Sequence, residues 1–543
     1  MNDSRTPLTS HPAVAKAPGG GLAWVMPSTA EVCFITLLLI LLFSRVNKYY
    51  FLDGDPGWHI RAGQYMLETY SIPHHDIFSF TKPNAWWVAY EWGTEVIFAA
   101  LHNRFGLNGV VLFMVLVLAT TYTLLYKFLR REGFSFSLSF PLLLFVILGS
   151  NFHWVARPHI VSYLFVVPYF YFLDRFTAGT LSAKRLWVLP ALMILWVNLH
   201  AGFIAGVTMV LTFFFSAVLE YVFAPHERRA VLRPKVKQTG VVVVTTLAAS
   251  LINPNGYKLY GYLYDYFKTV HNLNLFNEQF SPSFQWFIFH PFLVAVIAPT
   301  LLLLYSRYRL RLEEALTLVV WIALGLISLR NIPVMLLICA PIYARLMRGL
   351  GEPLKDNLSR APRFQRAMLR IFQRIELVVS MERNFRRHLW SVAVLVVLCW
   401  VVAHQGYLGG HRVMDFRYLK ERGFPVAAIE YLKSHMPPGH VFNDSVTGGF
   451  LIYNFYPNIK VFIDGRLDMY GEVFAREFLK LLGQPEVGDA NDNWKKLFHQ
   501  YQIQWVMIRP DAPLRYVVDA DPDWERRYLD GECVIFSRRL TSR

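Results

Sequence analysis

The sequence predicts an all-α polytopic membrane protein of about 11 transmembrane helices, with a large first periplasmic loop bearing interfacial helices and a small C-terminal α/β domain on the same side. Three observations predict it. Apolar runs of near-spanning length recur along the chain, 54% of whose 543 residues are hydrophobic. Basic residues collect behind every second run. After the last run, short strand-like and helix-like stretches alternate.

Residues 1–27, with Pro, Gly and Ser among them, read as a disordered cytoplasmic tail. The run 28–46 approaches the roughly 20 residues that cross a hydrocarbon core. No small-residue cleavage site follows it, so it reads as a retained helix rather than a signal peptide. Further runs lie near 107–127, 136–151, 159–174, 186–200, 203–222, 239–252, 290–305, 313–328, 332–347 and 389–406. Some are short, as expected where helices break or re-enter around a site.

Lys127, Arg130 and Arg131 follow the second run; Arg175, Lys184 and Arg185 follow the fourth. Arg228, Arg229 and Arg233 follow the sixth, Arg307 and Arg309 the eighth, and a basic segment, 348–388, the tenth. The positive-inside rule places these connections in the cytoplasm, with the N-terminus inside and the C-terminus outside. The stretch Trp86–Phe105 is apolar but carries Glu91, Glu95, His102 and Arg104. Making it a span would invert every later loop. It is expected to lie as an amphipathic helix in the outer interface, with Trp86, Trp87 and Trp92 at headgroup depth.

Residues 28–406 thus form the membrane domain, with 48–105 as its first periplasmic loop, and 407–543 form the periplasmic domain. Strands are expected at His440–Asn443, Lys460–Asp464, Gln504–Arg509 and Glu532–Ser537. Helices are expected at Pro425–His435, Glu472–Leu482 and Asn491–Gln502.

The unusual polar residues fall on the outer side. The first loop gives Asp53, Asp55, His59, Arg61, His74, His75, Asp76 and Glu91; later outer turns give His153, Arg157, His159, His200, Arg330 and Asn331. Any one of these fits a span end reaching water, but their convergence from several loops describes a polar cavity opening outward. Asp53 and Asp55 share a turn built from Gly54, Pro56 and Gly57. One suits a general base and the other an orienting group or a ligand of a divalent cation such as Mg²⁺ or Mn²⁺, with His59 as a further ligand. The same residues also suit the capped start of a helix, and both readings hold together. Arg157 and Arg330 offer planar donor forks matched to phosphate. Asp464-Gly-Arg-Leu-Asp468 reads as a structural turn with a buried ion pair, or as a substrate-facing one.

The net charge of +16 is spread between the runs and does not form a nucleic-acid-binding patch. No Walker loop, Gly-x-Ser-x-Gly elbow or His-Glu-x-x-His helix occurs. Cys33, Cys339, Cys399 and Cys533 show no disulfide or zinc spacing.

The arrangement resembles the C-type glycosyltransferases, polytopic enzymes using lipid-phosphate sugars, among them protein O-mannosyltransferases and aminoarabinose transferases. Asp55-Pro-Gly-Trp-His-Ile-Arg-Ala-Gly63, Ile72-Pro-His-His-Asp-Ile-Phe-Ser79 and Glu91-Trp-Gly-Thr-Glu95 carry the resemblance. It implies a bacterial inner-membrane enzyme that moves a sugar from a polyprenyl-phosphate donor to a glycan, lipid or protein acceptor on the periplasmic side, with inversion. Asp55 stands where such enzymes carry their catalytic acid. They usually have Asp-Glu where this chain has Asp55-Pro56, so the partner acid falls to Asp53 or Glu91. Arg157, Arg330, His59, Arg61, Glu91, His159 and His200 are the candidate substrate and phosphate contacts. A lipid-linked glycan flippase and a non-catalytic assembly protein of the same fold are the alternatives.

Overall fold

The computed structural model describes residues 26–273, 279–350, 374, 376, 388–482 and 494–539. The tail 1–27, except for its last two residues, and most of the basic segment 348–388 lie outside the described residues.

Helices occur at all eleven expected runs: α1 (Thr29–Phe43), α3 (Trp92–Arg131), α4 (Phe136–Ser150), α5 (Ile160–Thr177), α6 (Val188–Leu199), α7 (Phe203–Phe223), α8 (His226–Ser250), α10 (His290–Tyr305), α11 (Leu312–Ile327), α12 (Ile332–Arg348) and α13 (Leu389–Ala403). Five described helical segments are long and apolar enough to cross a bilayer, those around α3, α4, α7, α10 and α12. The chain is a membrane protein. Local chemistry fixes several helix ends: Ser28 Oγ accepts from the Glu31 N–H at the start of α1, and Glu314 Oε2 accepts from the Arg311 N–H at the start of α11. Buried Glu31 in turn accepts from the Ser391 N–H near the start of α13, tying the first and last of these helices together.

Between α1 and α3 lies α2 (Asp55–Thr69), with Pro56 in its first turn. The expected interfacial helix begins only at Trp92. Residue 106 breaks it, a glycine with φ 61° that takes a backbone conformation most residues avoid, and the same helix then continues into the membrane bundle. Trp87 is not at headgroup depth: it is 3% exposed, packed inside the loop against Phe78 and Trp58. Trp86 is half-exposed and stacks on His74. Helix α9 (Lys258–Leu273) is a further element, between α8 and α10.

The C-terminal domain opens with a two-stranded ribbon, β1 (Tyr407–Leu408) and β2 (His411–Arg412). Helix α14 (Val426–Ser434), β3 (His440–Asn443), α15 (Ser445–Phe455), α16 (Leu467–Tyr470), α17 (Glu472–Leu481), α18 (Trp494–Gln500), β4 (Ile503–Ile508), α19 (Pro513–Asp519), β5 (Trp524–Leu529) and β6 (Val534–Arg538) follow. The main sheet runs β3-β4-β6-β5, with β3 parallel to β4 and the other neighbours antiparallel. Lys460–Asp464 does not form the expected strand. The side chain of Asn443 replaces one partner, accepting from the Phe462 N–H and donating to the Ile463 carbonyl, each at 2.8 Å. On its other side Val461 pairs with the first loop at Ser79. The segment is thus shared between the two domains. The domains also meet where α15 packs on α2, which places the C-terminal domain directly over the Asp53–Asp55 turn.

Candidate active site

The Asp53–Asp55 turn is built from its own hydrogen bonds. Asp53 Oδ1 accepts from the Asp55 N–H at 3.0 Å, and Asp55 Oδ1 accepts from Trp58 Nε1 at 3.1 Å. Arg157, from the loop between α4 and α5, lies against both acids: it pairs with Asp53 and approaches Asp55 Oδ2 at 3.1 Å. The N-cap of α2 is Gly54 with no side-chain cap, so the aspartates shape the turn and face Arg157 without capping the helix as expected.

Asp55 opens onto a cavity of about 840 Å³. His59, Glu91, Arg157, His159, His200 and Arg330 also line it. Asp53 stands behind Arg157. Arg61 points away, donating to the Tyr453 carbonyl at 2.6 and 2.9 Å, so it fastens α2 to the C-terminal domain. His74 and His75 are exposed beside Trp86. Arg330 donates to the Tyr266 hydroxyl at 2.8 Å, across the cavity mouth from α9.

The expected metal set of Asp53, Asp55 and His59 is not brought together. Arg157 occupies the space beside the two aspartates, and His59 faces Glu91 and Glu95 instead. A close helix contact causes this. A Cβ on Gly63 would lie 1.9 Å from the Glu95 carbonyl oxygen, so only glycine lets α2 approach α3 here, one turn beyond His59. Burial, with Arg157, His200 and Arg466 nearby, holds His59 well below its ordinary imidazole value. Burial and the neighbouring Glu91 push the Glu95 carboxyl well above its own.

The sequence leaves the Asp464–Asp468 turn open between a structural and a substrate-facing role; here it forms a wall of the cavity contributed by the C-terminal domain. Gly465 lies against Asp55, where an added Cβ would meet Oδ1 at 1.9 Å. Arg466, 3% exposed, pairs with Asp464 at 2.6 Å and with Asp76 of the first loop at 2.7 Å. Its guanidinium lies 4.4 Å from the Trp87 ring centroid and 5.8 Å from that of Trp58, the ring that holds Asp55. The Asp464-Gly-Arg motif is thus a buried ion pair and a cavity wall at once. The signal was the motif itself; its partner Asp76 lies 390 residues earlier.

The other half of the cavity is apolar. Ile204 and Ala205 of α7, Leu324 and Ile327 of α11, and Val334 of α12 line it between the membrane helices.

No family model and no curated protein matches the sequence. Solved structures do. ArnT from Cupriavidus metallidurans in the apo state superposes with a TM-score of 0.50 at 14% identity, covering 93% of this chain and 97% of that one. The same protein bound to undecaprenyl phosphate gives 0.49 at 13% identity, covering 94% and 98%. The archaeal oligosaccharyltransferase AglB from Archaeoglobus fulgidus, in complex with an inhibitory peptide and a dolichol-phosphate, gives 0.49 at 10% identity, covering 89% and 69%. One of these neighbours holds undecaprenyl phosphate, and the other is an oligosaccharyltransferase holding a dolichol-phosphate. Over nearly its whole length, this chain shares the fold of ArnT.

Proposed function

We propose that the protein is an inner-membrane glycosyltransferase that moves a sugar from a polyprenyl-phosphate donor to an acceptor on the periplasmic side. One observation carries this reading: a single cavity joins a charged floor, with Asp55, Arg157 and Arg330, to an apolar wall between membrane helices. A lipid phosphate has that polarity, a charged head on a hydrocarbon tail. The bilayer itself delivers the donor, so no nucleotide-binding fold is required.

Asp55 takes the acceptor's proton as its oxygen attacks the anomeric carbon. Attack opposite the leaving phosphate inverts that centre. Arg157 holds Asp55 and Asp53 in place. Arg330, at the start of α12, stabilises the departing phosphate, and His159 and His200 line the path between them. The C-terminal domain closes the acid's side of the cavity and selects the acceptor. A flippase calls for ionisable groups deep within its spans, whereas Arg157 and Arg330 stand at helix ends, which favours chemistry at the membrane surface.

The test is transfer by the purified full-length protein, offered a panel of polyprenyl-phosphate sugars with envelope glycan, lipid and protein acceptors. Release of the free lipid phosphate with an inverted product is expected. Absence of transfer from every donor favours the non-catalytic assembly role. Sidedness is read from a tag fused after Arg543: protease added outside the inner membrane should remove it. Cys533 is 2% exposed and unsuited to thiol labelling.

A further inference from the structure

The cavity wall holds a second cluster whose chemistry differs from that of the acid–arginine group. His59, Glu91 and Glu95 are all buried, and one donor atom from each lies within 4.8 Å of the others. Both edges of the His59 ring face a carboxylate. Nδ1 is 2.9 Å from Glu95 Oε1, and Nε2 is 3.6 Å from Glu91 Oε2. A neutral imidazole carries one N–H, so one of its two edges presents a lone pair to a carboxylate oxygen. With both carboxylates ionised, two acceptors face each other there, an arrangement that a proton or a cation between them turns from repulsive to attractive.

The neighbours sharpen this. The Gly202 N–H donates to His200 Nδ1 at 2.8 Å, which puts the His200 hydrogen on Nε2, 3.2 Å from Glu91 Oε1. His200 therefore orients Glu91 from outside, as groups behind a metal ligand commonly do. Glu95 is 1% exposed, and its Oε2 has no hydrogen-bond partner. Ligand atoms around a four-coordinate ion at about 2.0–2.2 Å stand roughly 3.3–3.6 Å apart, and one donor atom from each of the three residues lies within 4.8 Å of the others, so side-chain shifts of about 1 Å bring them to ion-binding spacing.

We propose that His59, Glu91 and Glu95 bind a divalent transition-metal ion, with His200 orienting Glu91 from behind. One imidazole with two carboxylates suits Zn²⁺ better than Mg²⁺, which favours oxygen ligands and retained water. All three residues line the cavity, so the remaining coordination position faces it. This site stands apart from the transferase reading, because ion binding is measured without any sugar donor.

The test uses full-length protein purified in detergent, stripped with a chelator and dialysed against Zn²⁺. Elemental analysis should find about one ion per chain. His59→Asn and Glu95→Gln should each lose it, weakening binding by more than about tenfold. His74→Ala/His75→Ala, which removes two exposed histidines, should retain it. Co²⁺ bound to the wild-type protein should give a visible absorption that Zn²⁺ abolishes, a readout that needs no variant to fold. A wild-type protein that takes up no ion and gives no such spectrum overturns the proposal: an extra proton then satisfies the cluster. Full retention of Zn²⁺ by folded His59→Asn protein overturns it as well.

Discussion

The two ends of the same helices treat buried charge in opposite ways. At one end of α5, α11 and α12, Arg345 is 4% exposed and donates to Asp174 at 2.6 and 2.7 Å and to Glu314 at 2.6 Å. Arg311 reaches the same two acids, and Tyr308 donates to Glu314. Each of these carboxylates receives several donors, and the cluster locks four segments together. At the other end the same three helices border the cavity through His159, Ser328 and Arg330. There Arg330 donates to the Tyr266 hydroxyl while lining the cavity, and one buried carboxylate oxygen of Glu95 lacks a hydrogen-bond partner. The first network is closed in on itself and acts as glue. The second borders a cavity that a ligand can enter.

That contrast is open to experiment. The largest effect is expected from Asp55→Asn, which keeps the shape of the turn and removes the proton acceptor. Turnover should fall by roughly 10²–10⁴ while thermal unfolding of the detergent-solubilised protein stays unchanged. Arg345→Ala should do the reverse. Asp174 and Glu314 would keep Arg311 but lose their more buried guanidinium, which should cost about 1–3 kcal/mol in unfolding free energy, with transfer per folded molecule preserved. If Arg345→Ala instead abolished transfer at wild-type stability, the division between the two ends would fail.

Gly465→Ala tests whether the C-terminal domain positions the acid. The added methyl must displace the Asp55 carboxylate, and a shift of about 1 Å lowers turnover on the order of 10²-fold. Binding of the donor should be spared. Arg330→Ala should weaken donor binding by about 1.5–3 kcal/mol and leave acceptor binding alone, as equilibrium binding of each substrate would show.

The smallest effect concerns the clasp between the domains. Burial raises the Asp76 carboxyl, but Arg466 and the hydrogen bonds from Ser79 and Phe78 outweigh it, so its folded value lies below the ordinary one. Its contribution to docking is therefore complete above the unfolded value of about 4 and is lost as pH falls through the folded one. Limited proteolysis at the domain junction should quicken in that acid range. Asp76→Asn should show the faster cleavage already at neutral pH and change little on acidification.

Much of this architecture was legible in the chain. Apolar run length marked the positions of α1, α3 to α8 and α10 to α13, and alternating patterns marked β3, β4 and β6. The sequence offered the candidate site as residue types in several loops, and Asp55, His59, Glu91, Arg157, His159, His200 and Arg330 line one cavity. What escaped depended on contacts between distant segments. Arg61 reads like a site residue until Tyr453 takes its donors. Asp53 and Asp55 read like cation ligands until Arg157 settles between them. Lys460–Asp464 reads like a strand until the Asn443 side chain supplies the pairing. In each case the deciding partner lies far along the sequence, beyond any local period or spacing.

The contact of Gly465 with Asp55 has a consequence in time. A chain made from its N-terminus completes α1 to α12 before residue 465 exists, and domains generally fold in that order. The acid turn is therefore in the membrane while its last wall is still unsynthesised. Only when the final quarter of the chain has folded and docked does the chamber take its working shape. On the proposed function, a half-made chain lacks the wall that seats its acid, and the order of synthesis serves as a safety catch.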